Sequence, residues 1–242
     1  MIEKYISTLD TERFGFKVAK LPFNCADSIK IVEDLKKTST KLIIVRVDAN
    51  NIELINQLEI NGFQFKDGQV TFSFDLHKSL PQPIDRAFTI KEYDKKFLPD
   101  IIEMTKYSFQ NYGHYFADNK LDKTKCLDIY VDWSKRACDN LEIADKILVA
   151  EKNNKAIGYV AFKSFENTAE KYKAGVIGAV SPESRGLGVF QAIHIESIHL
   201  FKNEGFDRIE NNVLVTNYPA MKTYIGLSYN IIRSEVTMHC WL

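Results

Sequence analysis

Apolar positions recur along this chain in two rhythms, one suited to strands and one to helices. Val70, Phe72, Phe74 and Leu76 alternate with Thr71, Ser73 and Asp75, which predicts a half-buried strand. Leu42-Ile43-Ile44-Val45 is a β-type run ending at Asp48, and Asn51 caps a helix running through Leu58 that Gly62 ends. Beyond residue 86 a short strand over 87–90 is followed by helical spacing over 98–109, with Pro99 tolerated in the first turn. An irregular aromatic segment, Asn111-Tyr112-Gly113-His114-Tyr115-Phe116, leads into a helical face carrying Leu127, Tyr130, Val131 and Ser134 that ends near Asp139 and Asn140. Strands follow over 147–151, 156–164 and 174–180, then a helix over 188–203 stopped near Gly205, then a strand over 209–215. The order predicts an α/β protein with a mixed sheet.

Pro81-Gln82-Pro83 interrupts helix and ladder alike, so it marks a boundary between residues 1–82 and 83–242. The C-terminal segment repeats the plan of the N-terminal one. A shift of 166 positions lays Asn51 on Asn217, Leu54 on Ala220, Leu58 on Tyr224, Phe63 on Tyr229 and Leu76 on Leu242 without a gap. Two related half-domains are expected, the first the smaller and degenerate, the second complete.

Composition narrows the classes. With 242 residues, 45% of them hydrophobic, the chain can bury a sizeable core and is neither disordered nor fibrous. Lys and Arg balance Asp and Glu to zero net charge, so no global field draws it to nucleic acid or an anionic membrane. Apolar runs are far shorter than the roughly 20 residues that span a bilayer. Cys25, Cys126, Cys138 and Cys240 lie far apart, and His194 and His199 are five apart rather than four, so no metal site is expected and a reducing cytoplasm is the default.

The sharpest chemistry lies at Val180-Ser181-Pro182-Glu183-Ser184-Arg185-Gly186-Leu187-Gly188-Val189-Phe190, where a strand passes through a glycine turn into a helix. Glycines admit close approach, and free N–H groups at the helix start point at a phosphate or pyrophosphate. Rossmann spacing fails at Gln191, and a P-loop would need a Lys and a hydroxyl residue after its last glycine.

Here the chain resembles the GNAT superfamily of N-acetyltransferases, whose acyl-CoA loop reads Arg/Gln-x-x-Gly-x-Gly/Ala after a strand ending Val-x-Pro. Arg185, Gly186, Leu187, Gly188 and Val189 match, whereas Phe190 stands where the family has Gly or Ala. The resemblance implies a GNAT-like fold in which the strand over 174–180 splays from its neighbour. Backbone N–H groups near Ala179 and Val180 would then hold pantetheine, Asn217 would contact the CoA arm, and Tyr224 would stabilise or protonate the departing thiolate. Without the family, Asn217 is an N-cap and Tyr224 a core-facing helix residue. The N-terminal copy has Leu58 in place of Tyr224 and lacks the glycine turn, so only the second copy is expected to take acyl-CoA.

The two-part layout resembles, more narrowly, the TDP-fucosamine acetyltransferase type. That likeness implies an acyl-CoA co-substrate, a nucleotide-linked amino sugar of the kind used for lipopolysaccharide as acceptor, and no metal. Neither a nucleic acid nor a membrane partner is expected, and a homodimer is compatible with the type. Tyr107, Tyr112, His114, Tyr115 and Phe116 are the candidates for the acceptor. The strand over 174–180 carries no carboxylate, so His114, Asp118 and Glu166 are the candidate bases.

Overall fold

The computed structural model describes residues 2–25 and 27–242. Its strands are β1 (Lys17–Lys20), β2 (Thr40–Asp48), β3 (Gln64–Asp75), β4 (Thr89–Glu92), β5 (Lys146–Lys152), β6 (Lys155–Glu166), β7 (Lys171–Val180), β8 (Arg208–Leu214) and β9 (Asn230–Trp241). All join one sheet in the order β1-β2-β9-β3-β8-β7-β6-β5-β4. The helices are α1 (Thr8–Phe14), α2 (Ser28–Lys36), α3 (Ile52–Ile60), α4 (Leu98–Ser108), α5 (Gly113–Ala117), α6 (Lys123–Asp139), α7 (Val189–Asn203) and α8 (Tyr218–Gly226).

Strand alternation sorts the helices into two layers. On β2, Leu42 and Ile44 meet α1, α5 and α6, whereas Ile43, Val45 and Val47 meet α2 and α3. On β6, Tyr159 and Ala161 pack under α4 and α6, whereas Val160 and Phe162 pack under α7. The mixed α/β sheet read from the sequence is present, and the aromatic segment forms the short helix α5 rather than an irregular loop.

The repeat is built into the sheet as an exchange. In each half a strand, an Asn-capped helix and a final strand follow one another, and Asn51 and Asn217 each accept the N–H three residues on, from Leu54 and Ala220. Each final strand then crosses to the other half: β3 lies between β8 and β9, and β9 between β2 and β3. The β3–β9 ladder is symmetric about the pair Gln69–Glu235, with Gln64 opposite His239 matching Ser73 opposite Asn230. Even the irregularities correspond, since Lys66 on β3 and Ile232 on β9, 166 positions apart, are each left out of register. The linker is extended, and α7 holds it down: His199 Nε2 lies 2.9 Å from the Pro81 carbonyl, Arg86 pairs with Glu196, and Leu80 and Ile84 pack on the core beneath.

Candidate active site

The two halves differ at their parallel strand pairs. In the N-terminal half β1 stays beside β2 beyond its own end, because Leu21 N donates to Ile44 O and Asn24 N to Arg46 O. In the C-terminal half β7 pairs with β8 only from Tyr172–Arg208 to Gly175–Asn211, after which the strands part. Asn211 wedges that point, its amide pressed where a Cβ on Gly175 would stand. A cleft therefore opens between Val176–Val180 and the end of β8. Ser181 N donates to Ile157 O on β6, so by alternation Ala179 turns its N–H to β6 while Gly178 and Val180 turn theirs into the cleft.

The glycine turn stands at the mouth of this cleft. Gly186 and Gly188 both have left-handed φ, +79° and +73°, and Gly188 is the N-cap of α7. The first N–H of α7 engaged in the helix ladder is that of Ala192, on Gly188 O. Among the described residues the N–H groups of Val189, Phe190 and Gln191 have no acceptor outside the helix, which suits an anion. Val189 is set close against β6: a Cβ on Gly158 would meet it at 2.6 Å. Arg185 lies over the Tyr107 ring, 5.0 Å from its centroid, and reaches Ser108 Oγ at 3.3 Å, which places Tyr107 beside the turn rather than in the aromatic segment. Leu187 is exposed. The Phe190 ring turns inward onto His194 (4.5 Å) and Tyr224 (5.6 Å), leaving the turn open.

Tyr224, on α8, turns its ring toward α7, stacked on Phe72 at 5.1 Å, with its hydroxyl 3.3 Å from His194 Nε2. Burial, with Tyr229 and Tyr112 nearby, holds its pKa well above 10, so the phenol stays protonated and keeps an O–H to donate. Tyr112 approaches from the other helix layer: its hydroxyl lies by the Asn217 side chain and the Leu214 backbone, and burial raises its pKa too.

Burial pushes His194 down to about 3 from an ordinary 6.5. A group whose folded pKa is depressed stabilises the fold above its unfolded pKa and loses that contribution as pH falls toward the folded one. Between pH 6.5 and 3 the protein is therefore expected to lose up to about 1.4 kcal/mol per pH unit from this group. Urea melts at pH 7 and 4.5 check it, and His194→Leu should flatten the dependence.

The remaining candidates divide. His114 and Asp118 join a buried relay in which His239 Nδ1 meets Asp118 Oδ2 at 2.7 Å and His239 Nε2 meets His114 Nδ1 at 2.8 Å. Burial pushes Asp118 up, but hydrogen bonds from His239, Trp241 and the Lys120 N–H outweigh it and hold its carboxyl well below the usual range. Such a group is a poor base near neutrality. Burial, with His239, Arg46 and Lys20 nearby, holds His114 well below 6.5, so it stays neutral. Glu166 is exposed at the end of β6, opposite Lys171 at the start of β7 and remote from the cleft mouth. Tyr115 is buried toward the N-terminal half, its hydroxyl 3.1 Å from Asp10. Phe116 lines a cavity of ≈ 240 Å³ with Gly113, Phe65, Asp67 and the Leu214–Thr216 turn that leads into Asn217. Asp67 was not among the residues the sequence singled out. Among the described residues no group of three or more His, Cys, Asp or Glu is placed to hold a metal ion, and no helix is long and apolar enough to cross a membrane.

The sheet thus parts between two parallel strands, with a glycine turn and a free helix start at the opening. The model of the acetyltransferase (GNAT) family matches residues 106–227, half of the chain, and takes in the turn, the cleft and Tyr224; the chain belongs to that family. No curated protein matches the sequence. Among solved structures, a GCN5-related N-acetyltransferase from Kribbella flavida superposes with TM-score 0.60 at 10% identity, covering 93% of this chain and 81% of its own. One from Sphaerobacter thermophilus gives 0.59 at 13% identity over 88% of this chain, which spans 65% of that protein. A tandem GNAT protein from the clavulanic acid biosynthesis pathway gives 0.58 at 10% identity, covering 88% of this chain and 67% of its own. These likenesses show the fold.

Proposed function

We propose that the protein moves an acetyl or other short acyl group from acyl-CoA to the amino group of a nucleotide-linked amino-deoxysugar, by direct attack with both substrates bound. The observation that carries the reading is the asymmetry of the two parallel pairs: one is closed, and the one beside the glycine turn is open. Pyrophosphate would lie on the N–H groups of Val189, Phe190 and Gln191, with Arg185 adding charge. The N–H groups of Gly178 and Val180 would hold the arm and polarise the thioester oxygen. Tyr224 and Tyr112 are the hydroxyls available to the leaving sulfur. The cavity at Phe116 has the size of one sugar ring rather than of a whole nucleotide, so the diphosphate would lie outside it, near Lys66.

A second reading is favoured by one observation. The Tyr224 hydroxyl is sealed on His194 beneath Phe190, which suits an acyl-CoA-binding scaffold without catalysis. Calorimetry with acetyl-CoA, followed by a thiol-release assay with TDP-amino sugars and with peptide and antibiotic amines, separates the readings. Binding together with release driven by TDP-amino sugars is the expected result. Binding without release to any amine supports the scaffold, and release to peptides or antibiotics alone reassigns the acceptor.

A further inference from the structure

Asp67 is a buried carboxylate without a counterpart. Only 8% of the residue is exposed, and neither carboxylate oxygen meets a donor in hydrogen-bonding geometry among the described residues. Such a group is costly to bury, and its polar neighbours, the Thr237 hydroxyl, the His114 N–H and Arg46, stop short of pairing it, which leaves a place for a cation or donor from outside. Its position narrows what that partner is. Asp67 lies on β3 beside the Lys66 irregularity, on the face of the sheet that carries Thr237, and lines the ≈ 240 Å³ cavity.

The Leu214–Thr216 turn also lines that cavity; its Val215 N–H donates to Gly68 O beside Asp67, and the turn runs into Asn217. Phe65 and Phe116 supply aromatic flanks, and Gly113, at φ +73°, lets α5 start against the Tyr130 hydroxyl, which a Cβ there would meet at 2.5 Å. Burial raises the Asp67 pKa above 3.8, only partly offset by the Thr237 hydroxyl, Arg46 and the His114 N–H. The shift moves the carboxyl toward the range useful to a base at neutral pH.

We propose that Asp67, on the strand the N-terminal half contributes, binds the acceptor's primary ammonium group in this cavity and takes its proton as general base. The inference rests on the acyltransferase reading above and assigns it a base and an acceptor class: a primary amine on a head no larger than one sugar ring. The ammonium gives a proton to Asp67, and the freed nitrogen lone pair forms the C–N bond as the C–S pair leaves with sulfur. The nitrogen sheds a second proton, the thiolate takes up one, and the other passes from Asp67 to solvent. Products are the amide and free CoA thiol.

The test compares wild type with Asp67→Asn and Asp67→Glu, using acetyl-CoA with glucosamine, tyramine and a TDP-4-amino-4,6-dideoxyhexose as acceptors. Asp67→Asn should lower kcat/KM by about 100-fold or more, remove the acidic limb of its pH profile and leave acetyl-CoA affinity unchanged; Asp67→Glu should recover part of the rate. Full activity of Asp67→Asn with an unaltered profile overturns the proposal. A second measurement needs no variant that folds. Carbodiimide with glycine ethyl ester should label Asp67 in the wild-type protein, read by peptide mass spectrometry, and an amine that binds should protect it. Absence of label at Asp67 while exposed carboxylates react overturns the proposal. A wild type that transfers to no amine counts against the acyltransferase reading instead, and the labelling still decides whether Asp67 faces an open site.

Discussion

Gly188→Val is expected to raise the Kd for acetyl-CoA by about 100-fold in calorimetry, with the fold retained. Gly188 holds φ at +73° as the N-cap of α7, a conformation that a β-branched residue adopts only with strain. The helix start would re-form with different φ, and the N–H groups of Val189, Phe190 and Gln191 would no longer converge. Hydrogen bonds to a charged group contribute about 1.5–3 kcal/mol each, so misaligning one or two of them accounts for the stated factor. The strain itself should lower stability by about 1–2 kcal/mol, visible as a small drop in Tm. Unchanged acetyl-CoA affinity would remove the glycine turn from the binding site.

Residues 83–242 produced alone are expected not to fold, although they contain the whole segment matched by the family. The exchange explains why. In that fragment β9 loses both its neighbours, β2 and β3, and β8 loses β3. The core under α7 also loses Phe72, Phe74 and Leu76, each at most 2% exposed in the full chain. Removing even one buried Phe side chain costs about 3–5 kcal/mol, against a typical total stability of about 5–15. The fragment should therefore show no cooperative thermal transition, and co-expression with residues 1–82 should restore one together with acetyl-CoA binding. A cooperative melt of the fragment alone would mean that β9 finds another partner.

These outcomes bear on how far the chain could be read from its sequence. The repeat was legible because Asn51 and Asn217 sit at matching helix starts and the final strands share one alternation. The exchange was not. The pattern states which strand each half possesses, and a sheet with β9 beside β8 would satisfy it as well as the one observed. β1 and α1, of four and seven residues, show little more than one period and were missed, whereas the apolar face of α2, Ile31, Val32 and Leu35, carries the helical spacing and went unread. Asp67 escaped for a physical reason too. The irregularity at Lys66 breaks the phase of β3, so the alternation becomes visible only from Val70 and Asp67 reads as an ordinary solvated residue. The glycine turn, by contrast, carries its chemistry in backbone conformation, which Gly186 and Gly188 announce directly.

The contrast between the closed parallel pair near Leu21 and the open one beyond Gly175 has a consequence for how the protein responds to its guests. The closed copy shows the interstrand bonds that the open copy forgoes, each a net contribution of about 1 kcal/mol. An elongated guest with amide groups along its length completes the unfinished seam as an added strand would. Loading should therefore stiffen the molecule across its middle, slowing amide exchange along Val176–Val180 and reaching, through β3, into the N-terminal half.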